Sequence, residues 1–248
     1  MSISVIIITH NEEKNILACL ESVKWADEIV VVDAFSRDNT KKLAEEFGAK
    51  MVKIFQTKWQ GYGKQKNYAL SCASMDWILS IDADERVTPE LAEEIQEIAQ
   101  NSEIDGYQIC RKAYFLNKWI RHSGWYPDYC LRLFRRGKGV FAEKQVHEYV
   151  ELSGRMGRLK GAMLHYTDND LNHYLTKLGR YTTLAADELS VRNKKASLGD
   201  LITRPLFIFL KMYILKKGFL DGMHGFILAV LSSFYVFVKY AKLWERAD

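Results

Sequence analysis

Residues 77–86 read WILSIDADER, an apolar run that ends in two carboxylates, Asp82 and Asp84, one residue apart. In an extended segment residues i and i+2 point the same way. A chain leaving a buried strand here is therefore expected to aim both acids at one point just beyond a sheet. Open α/β sheets bind ligands outside the carboxyl ends of their strands, and Mg²⁺ is commonly held by one or two carboxylates together with substrate phosphates. The stretch thus predicts a divalent cation and a nucleoside diphosphate substrate. The plain alternative is a pair of solvated turn acids.

The chain around it supports the sheet. Residues 2–9 (SISVIIIT) form a β-branched run too continuous for a half-exposed strand, which fits burial on both faces. Residues 10–25 carry apolar side chains at Ile16, Leu17, Leu20 and Val23 behind Asn11, Glu12 and Glu13, acids suited to a helix start. A second strand, Glu28–Asp33, also ends in an acid. Turn chemistry at 36–40 precedes a helix that Gly48 stops, a third strand covers 49–55, and a helix over 64–73 carries Lys64, Lys66 and Asn67. The fourth strand, 76–81, delivers Asp82 and Asp84, and Thr88 and Pro89 open the next helix. Alternation this regular predicts a parallel sheet with right-handed crossovers.

After Asn101 the pattern changes. Residues 106–112 predict a strand, 119–134 are aromatic-rich and irregular, and 146–152 and 162–166 predict short strands of an antiparallel extension that shapes an acceptor site. From Leu171 the sequence turns helical, with Pro205 expected to interrupt a segment over 198–220. The domain reading is 1–166, divided into a nucleotide-sugar half over 1–101 and an acceptor half over 102–166, followed by a helical extension over 167–248.

Charge sets the extension apart. Residues 192–248 hold 10 Lys+Arg against 4 Asp+Glu, whereas the other 191 residues hold 25 against 27. That asymmetry points to a membrane surface or a polyanion, or more simply to a solvated helix face. Between Asp221 and Lys239 lie 17 uncharged residues, at the lower edge of the ~17–25 that span a bilayer. Gly222 and Gly225 are expected to shorten the helical part to 226–238. This helix and 206–215 read as lying on or dipping into a membrane, flanked by Lys211, Lys216, Lys217, Lys239 and Lys242; a core or dimer helix is the alternative. With 48% hydrophobic and 27% charged residues, wholesale disorder is excluded. The four cysteines lie far apart and read as reduced thiols, and the N-terminus lacks the pattern of a secretory signal.

The segments SVIIITHNEE, VVVDAFSRDNT, GKQKNYAL and SIDADER, in this order and spacing, resemble the family 2 glycosyltransferases. SGWYPDYCLRLFRR and QVHEYV look like the subgroup of bacterial lipopolysaccharide-core glucosyltransferases of the WaaE/KdtX kind. The resemblance covers about residues 1–166. It implies a GT-A fold, a Rossmann-like mixed α/β sheet, here with a C-terminal helical, membrane-associating extension. It also implies metal-dependent transfer of a sugar, usually from a UDP-sugar, with inversion. UDP-glucose as donor and a lipid-linked oligosaccharide acceptor such as the lipopolysaccharide inner core follow from it, as does a place on the cytoplasmic face of the inner membrane. No nucleic acid is implied as a partner.

Carried over onto this sequence, Thr9, Asn11 and Glu12 lie along the nucleotide, Asp33 meets the base, and Lys66 approaches the base or diphosphate. Asp82 contacts ribose or sugar, and Asp84 ligates Mg²⁺ or Mn²⁺. One departure stands out: many members follow the Asp33 position with a second acid and a glycine, whereas Ala34 and Phe35 stand here.

The chemistry also needs a general base for the acceptor hydroxyl. Asp128, in WYPDY, is the candidate and Glu148 its rival; a turn acid after Pro127 is the plain reading of Asp128. Arg132 and Arg135 are candidates for diphosphate or an anionic acceptor, or for the wet face of a strand. His147 is a candidate third metal ligand, His10 is read as structural, and His165 has no assignment. Trp125 and Tyr126 are candidates for stacking on a sugar ring, or for core packing. Competing readings are transfer to another surface polysaccharide or lipid carrier, a sugar nucleotidyltransferase, and a non-catalytic binding protein. The absence of an N-terminal glycine-rich basic phosphate loop weighs against the nucleotidyltransferase.

Overall fold

A computed structural model describes residues 2–48, 52–101, 103–143, 149–168 and 170–246. The chain divides into two compact units, one of Met1–Arg111 and Asp128–His165, the other of Lys112–Pro127 and Tyr166–Asp248.

In the first unit the β-branched runs become the expected strands. β1 (Ile3–Thr9), β2 (Glu28–Asp33) and β4 (Trp77–Asp82) are buried almost throughout, and β3 (Val52–Gln56) lies at the sheet edge. Between them run α1 (Ile16–Ser22), α2 (Thr40–Phe47) and α3 (Tyr62–Cys72). The strand order begins β3-β2-β1-β4, all parallel. Register sets the functional edge: Thr9 pairs with Asp33, Ile8 with Asp82, and Asp33 with Gln56. The carboxyl ends of all four strands therefore finish within one residue of each other, on neighbouring strands ~5 Å apart.

The sheet continues in the other direction. β8 (Asp128–Arg135) runs antiparallel to β4, and β6 (Gly106–Phe115) antiparallel to β8. β11 (Met156–Asp168) and β5 (Glu85–Val87) complete the order, with α4 (Pro89–Asn101) following β5. β9 (Gly139–Phe141) and β10 (Val150–Leu152) form a separate ribbon. The sheet is therefore mixed, as the GT-A resemblance implies. Two expectations are corrected: residues 128–135 form one strand, with a register shift against β6 that skips Arg132, and the strand over 162–166 extends over 13 residues. Arg158 and Lys160 break the apolar pattern of β11, but they lie on a strand whose opposite face is covered by Leu159 and Met163.

At the far edge of β2, Glu28 is 2% exposed and accepts hydrogen bonds from Ser4, Lys53 and Ser74. Burial alone would push its carboxyl up, but these donors outweigh it and hold the group at about 2 instead of 4.5. A depressed carboxylate stabilises the fold above its unfolded value and loses that contribution as pH falls toward the folded one. Glu28 should thus contribute about 3 kcal/mol at neutral pH, lost between about pH 4.5 and 2. Acid unfolding of the wild type and Glu28→Gln should converge over that window. Parallel curves would show that Glu28 carries no such linkage.

In the second unit the end of β6 pairs with β7 (Lys118–Trp119). Helices α5 (Leu171–Val191), α6 (Leu198–Leu210) and α7 (Met223–Glu245) follow. Asp170 caps α5 through His173 N, and Ser197 with Asp200 forms a capping box on α6. Pro205 lies inside α6 and does not break it. Its carbonyl accepts a bond from Ser233 of α7 at 2.9 Å, so packing on the neighbouring helix holds the turn together. A π-helical turn over Lys211–Leu215 and a 3₁₀ turn over Gly218–Asp221 link α6 to α7. Gly225 does not shorten α7: a Cβ there would lie 1.9 Å from the Gly218 carbonyl oxygen, so glycine permits the close approach of helix and turn. Buried Asp221 accepts from Arg121 N and His122 N and faces His122 Nδ1, while Lys118 donates to its carbonyl. These bonds tie 112–127 to the helices, and Phe115, Ile120 and Leu228 form their common core.

Candidate active site

β4 ends at Asp82, and residues 83–84 form a tight turn into β5. The two acids are therefore not on one extended face, as i, i+2 spacing predicts, and each has its own partners. Asp82 Oδ1 lies 2.9 Å from Lys66 Nζ and Oδ2 lies 2.8 Å from Arg132 Nη2. Asp84 Oδ2 lies 3.4 Å from His165 Nε2.

Lys66, from α3, is 2% exposed and rests 5.7 Å from the Phe141 ring. Arg132 reaches across from β8 and also holds Glu85 at 2.8 Å, a carboxylate with no exposure at all. Glu85 Oε2 accepts from Asp82 N at 2.8 Å, closing the turn. Arg111 of β6 meets Glu85 Oε1 at 3.4 Å and donates to Asp128 Oδ2 from Nε at 2.9 Å and Nη2 at 2.6 Å. Lys66, Asp82, Arg132, Glu85, Arg111 and Asp128 thus alternate in sign in one chain of contacts. Burial opposes charge on Asp82, yet the Lys66 and Arg132 cations hold its carboxyl well below the usual carboxylate range. Burial likewise opposes charge on Arg132, and Glu85 with Asp82 keeps its guanidinium firmly protonated. Burial would lower the His165 imidazole, but the Asp84 charge beside it raises it.

Topology explains the convergence. β8 runs antiparallel to β4, so its first residue, Asp128, lies toward the carboxyl end of β4, where Arg111 is its cross-strand partner. β11 pairs with β5 so that His165 sits opposite Glu85, next to Asp84. Asp128 Oδ2 takes both Arg111 bonds; among the described residues Oδ1 meets only the Cys130 thiol, at 3.9 Å.

On the neighbouring strand ends, Asp33 is buried and accepts from Ser36 N at 3.0 Å, Ser36 Oγ and Gln56 Nε2 at 2.9 Å. Thr9 Oγ1 is buried with no hydrogen-bond partner among the described residues. Asn11 Oδ1 accepts from Arg37 N at 2.8 Å, and Glu12 accepts from Asn15. These bonds lock the loops after β1 and β2 together.

Arg135 is not brought to this cluster. It stacks on Trp77 at 4.7 Å, at the other end of β4, about 16 Å of strand from Asp82. Trp125 and Tyr126 belong to the second unit, where they pack edge-on against Phe115 and Trp119. His147 and Glu148 lie outside the described residues. Glu85, Arg111 and His165 had no role in the sequence reading. Their only signal is an isolated charged or imidazole side chain within a strand, and the strand pairing gives it meaning.

As candidate cation ligands, Asp84 and His165 fit: a carboxylate oxygen and an imidazole nitrogen 3.4 Å apart can share one ion at ordinary ligand distances of ~2.0–2.2 Å. Among the described residues no third His, Cys, Asp or Glu joins them. Such a pair suits an ion that takes its remaining ligands from substrate phosphates and water.

A level row of parallel strand ends carrying Thr9, Asp33 and Asp82, closed by antiparallel strands that bring Arg132, Asp128 and His165, defines a nucleotide-sugar transferase fold. The family model for glycosyl transferase family 2 matches residues 4–158. The chain is 32% identical to the lipopolysaccharide core biosynthesis glycosyltransferase LpsC of Rhizobium meliloti, over 99% of this chain and 93% of that one. It is 33% identical to an uncharacterized glycosyltransferase of Rickettsia felis, over 98% and 89%. Among solved structures, the mannosyltransferase PcManGT of Pyrobaculum calidifontis with GDP-Man and Mn²⁺ aligns with a TM-score of 0.58 at 13% identity, covering 99% of this chain and 88% of that one. S. aureus TarS 1–349 with UDP-GlcNAc aligns at 0.52 and 17% identity, covering 100% and 91%. At those identities the structural likeness speaks to the fold. The protein belongs to glycosyltransferase family 2 and is a glycosyltransferase.

Proposed function

We propose that the protein transfers a sugar, glucose from UDP-glucose, with inversion onto a lipid-linked glycan of the lipopolysaccharide inner core, aided by Mg²⁺ or Mn²⁺. The observation that carries the chemistry is the pairing of Asp84 with His165 at the mouth of β4, beside an Asp82 already neutralised by Lys66 and Arg132. Asp82 is paired to cations on both oxygens, and in this reading Asp84 with His165 holds the ion. An ion bound there supplies charge stabilisation for the departing diphosphate. Thr9 Oγ1 and Asp33 offer polar groups to the nucleoside. Asp128 removes the proton from the attacking hydroxyl, and Oδ1 is the oxygen that does so, because Arg111 engages Oδ2. A single base suffices for one in-line displacement with inversion. The likeness to LpsC supports the core-glycan acceptor.

The test is a thermal-shift panel of nucleoside diphosphate sugars with Mn²⁺, followed by product analysis. A ligand at a hundred times its Kd adds about 2.7 kcal/mol, a shift of roughly 5–10 °C for a chain of this size. UDP-glucose should shift the melting temperature and yield UDP with the membrane acceptor. Pyrophosphate as the product would replace the transferase reading with a nucleotidyltransferase.

The acceptor reading carries a location, the cytoplasmic face of the inner membrane. The α6–α7 segment supports it: Leu215, Leu220 and Met223 are 69%, 56% and 67% exposed, next to exposed Lys211, Lys216 and Lys217. An 18-residue stretch of α7 has a mean hydropathy of 1.6 and is 17% buried. Lys242 does not join this rim, because it donates to Gly179, Thr182 and Thr183 of α5. A Leu215→Asp/Leu220→Asp/Met223→Asp variant should sediment with anionic vesicles at least tenfold less than wild type, since each such side chain is worth ~1.5–3 kcal/mol when buried. Equal sedimentation would remove the membrane reading.

A further inference from the structure

The corner after β2 contains an outlier. Phe35 has φ +55°, in the left-handed region, where a bulky side chain is sterically penalised and Gly or Asn is the ordinary occupant. The residue is 52% exposed. Among the described residues no aromatic ring or cation stacks on it. Asn11, on the adjoining loop, has φ +58°, but asparagine tolerates that conformation.

The surroundings over-determine the turn. Ala34 N donates to Thr9 O at 2.9 Å, Ser36 N to Asp33 Oδ2 at 3.0 Å, Thr57 N to Asp33 O at 3.2 Å and Asn11 N to Ser36 Oγ at 2.8 Å. Bonds on both sides of Phe35 thus hold it where neither backbone preference nor hydrophobic burial would place it. Strain kept in this way clusters at ligand clamps. The position is two residues past Asp33, whose ladder partner is Thr9, at the carboxyl end of β2.

We propose that Phe35 is a donor-binding residue whose ring is held out to cover the nucleobase. This rests on the nucleotide-sugar reading above and adds one contact to it. An aromatic face suits a base because every base has a π face, and stacking recovers the burial that the exposed ring lacks in the free protein.

The experiment uses the full chain with Mn²⁺, titrated separately with UDP and inorganic pyrophosphate, for wild type, Phe35→Gly and Phe35→Tyr. Glycine relieves the turn, so Phe35→Gly should melt about 2–4 °C higher without ligand. Its UDP affinity should fall at least tenfold with pyrophosphate affinity unchanged, and Phe35→Tyr should bind UDP like wild type. Undiminished UDP binding by a folded Phe35→Gly overturns the role of Phe35 alone. Equal loss of both ligands, or a lower melting temperature, makes Phe35 a structural residue and overturns it too. A wild type that binds neither ligand overturns the transferase reading and this contact with it.

Discussion

Replacing Asp84 with alanine should leave a folded protein whose release of nucleoside diphosphate falls by roughly a thousandfold or more. Asp84 sits in the turn after β4 and faces His165, whose Nε2 lies 3.4 Å away and is placed to share an ion with it. Its neighbour cannot substitute: both Asp82 oxygens are already engaged, by Lys66 and Arg132. The fold should survive the change, because Asp84 lies in the turn between β4 and β5, outside both strands. The check is turnover with Mn²⁺ alongside circular dichroism. Full turnover from a folded Asp84→Ala protein would remove the metal from the chemistry.

The largest structural effect is expected at Arg132→Met. That change leaves Glu85 fully buried and Asp82 with one cation fewer. Breaking one partner out of a buried ionic network costs about 3–5 kcal/mol, because the remaining charge is desolvated without compensation. For a chain of this length that is a fall in melting temperature of very roughly 6–20 °C. The double variant Arg132→Met/Glu85→Gln should recover part of the loss, since glutamine removes the stranded charge and can still accept the bond from Asp82 N. A single variant within 1 kcal/mol of wild type would mean that Arg132 is not coupled to Glu85.

The sheet was legible where burial on both faces left a continuous β-branched signal. β1, β2 and β4 are of this kind, and their carboxyl ends fall within one residue of each other. β8 was not legible, because it is flanked by β4 on one side and β6 on the other, and Arg132 sits buried between Leu131 and Leu133. No local pattern announces an ion pair across strands 47 residues apart. The DADER stretch shows the same limit in miniature. Spacing alone points both acids in one direction, but Glu85 folds back onto Asp82 N and turns the chain, which gives the acids separate partners. Asp128 was named as a candidate from its segment, whereas the contacts of Arg111 and His165 became visible only when β6 and β11 were placed.

The excursion of residues 112–127 into the helical unit bears on how the protein can be cut. A fragment ending near residue 165 retains that excursion but lacks Leu228 and Asp221. Phe115 and Ile120 are then stripped of their cover, and the amides of Arg121 and His122 lose their acceptor. Trimming the tail would therefore give a sticky stump in place of a self-sufficient catalytic piece, and a clean excision has to remove both segments and rejoin Arg111 to Asp128, which already lie side by side across the ladder.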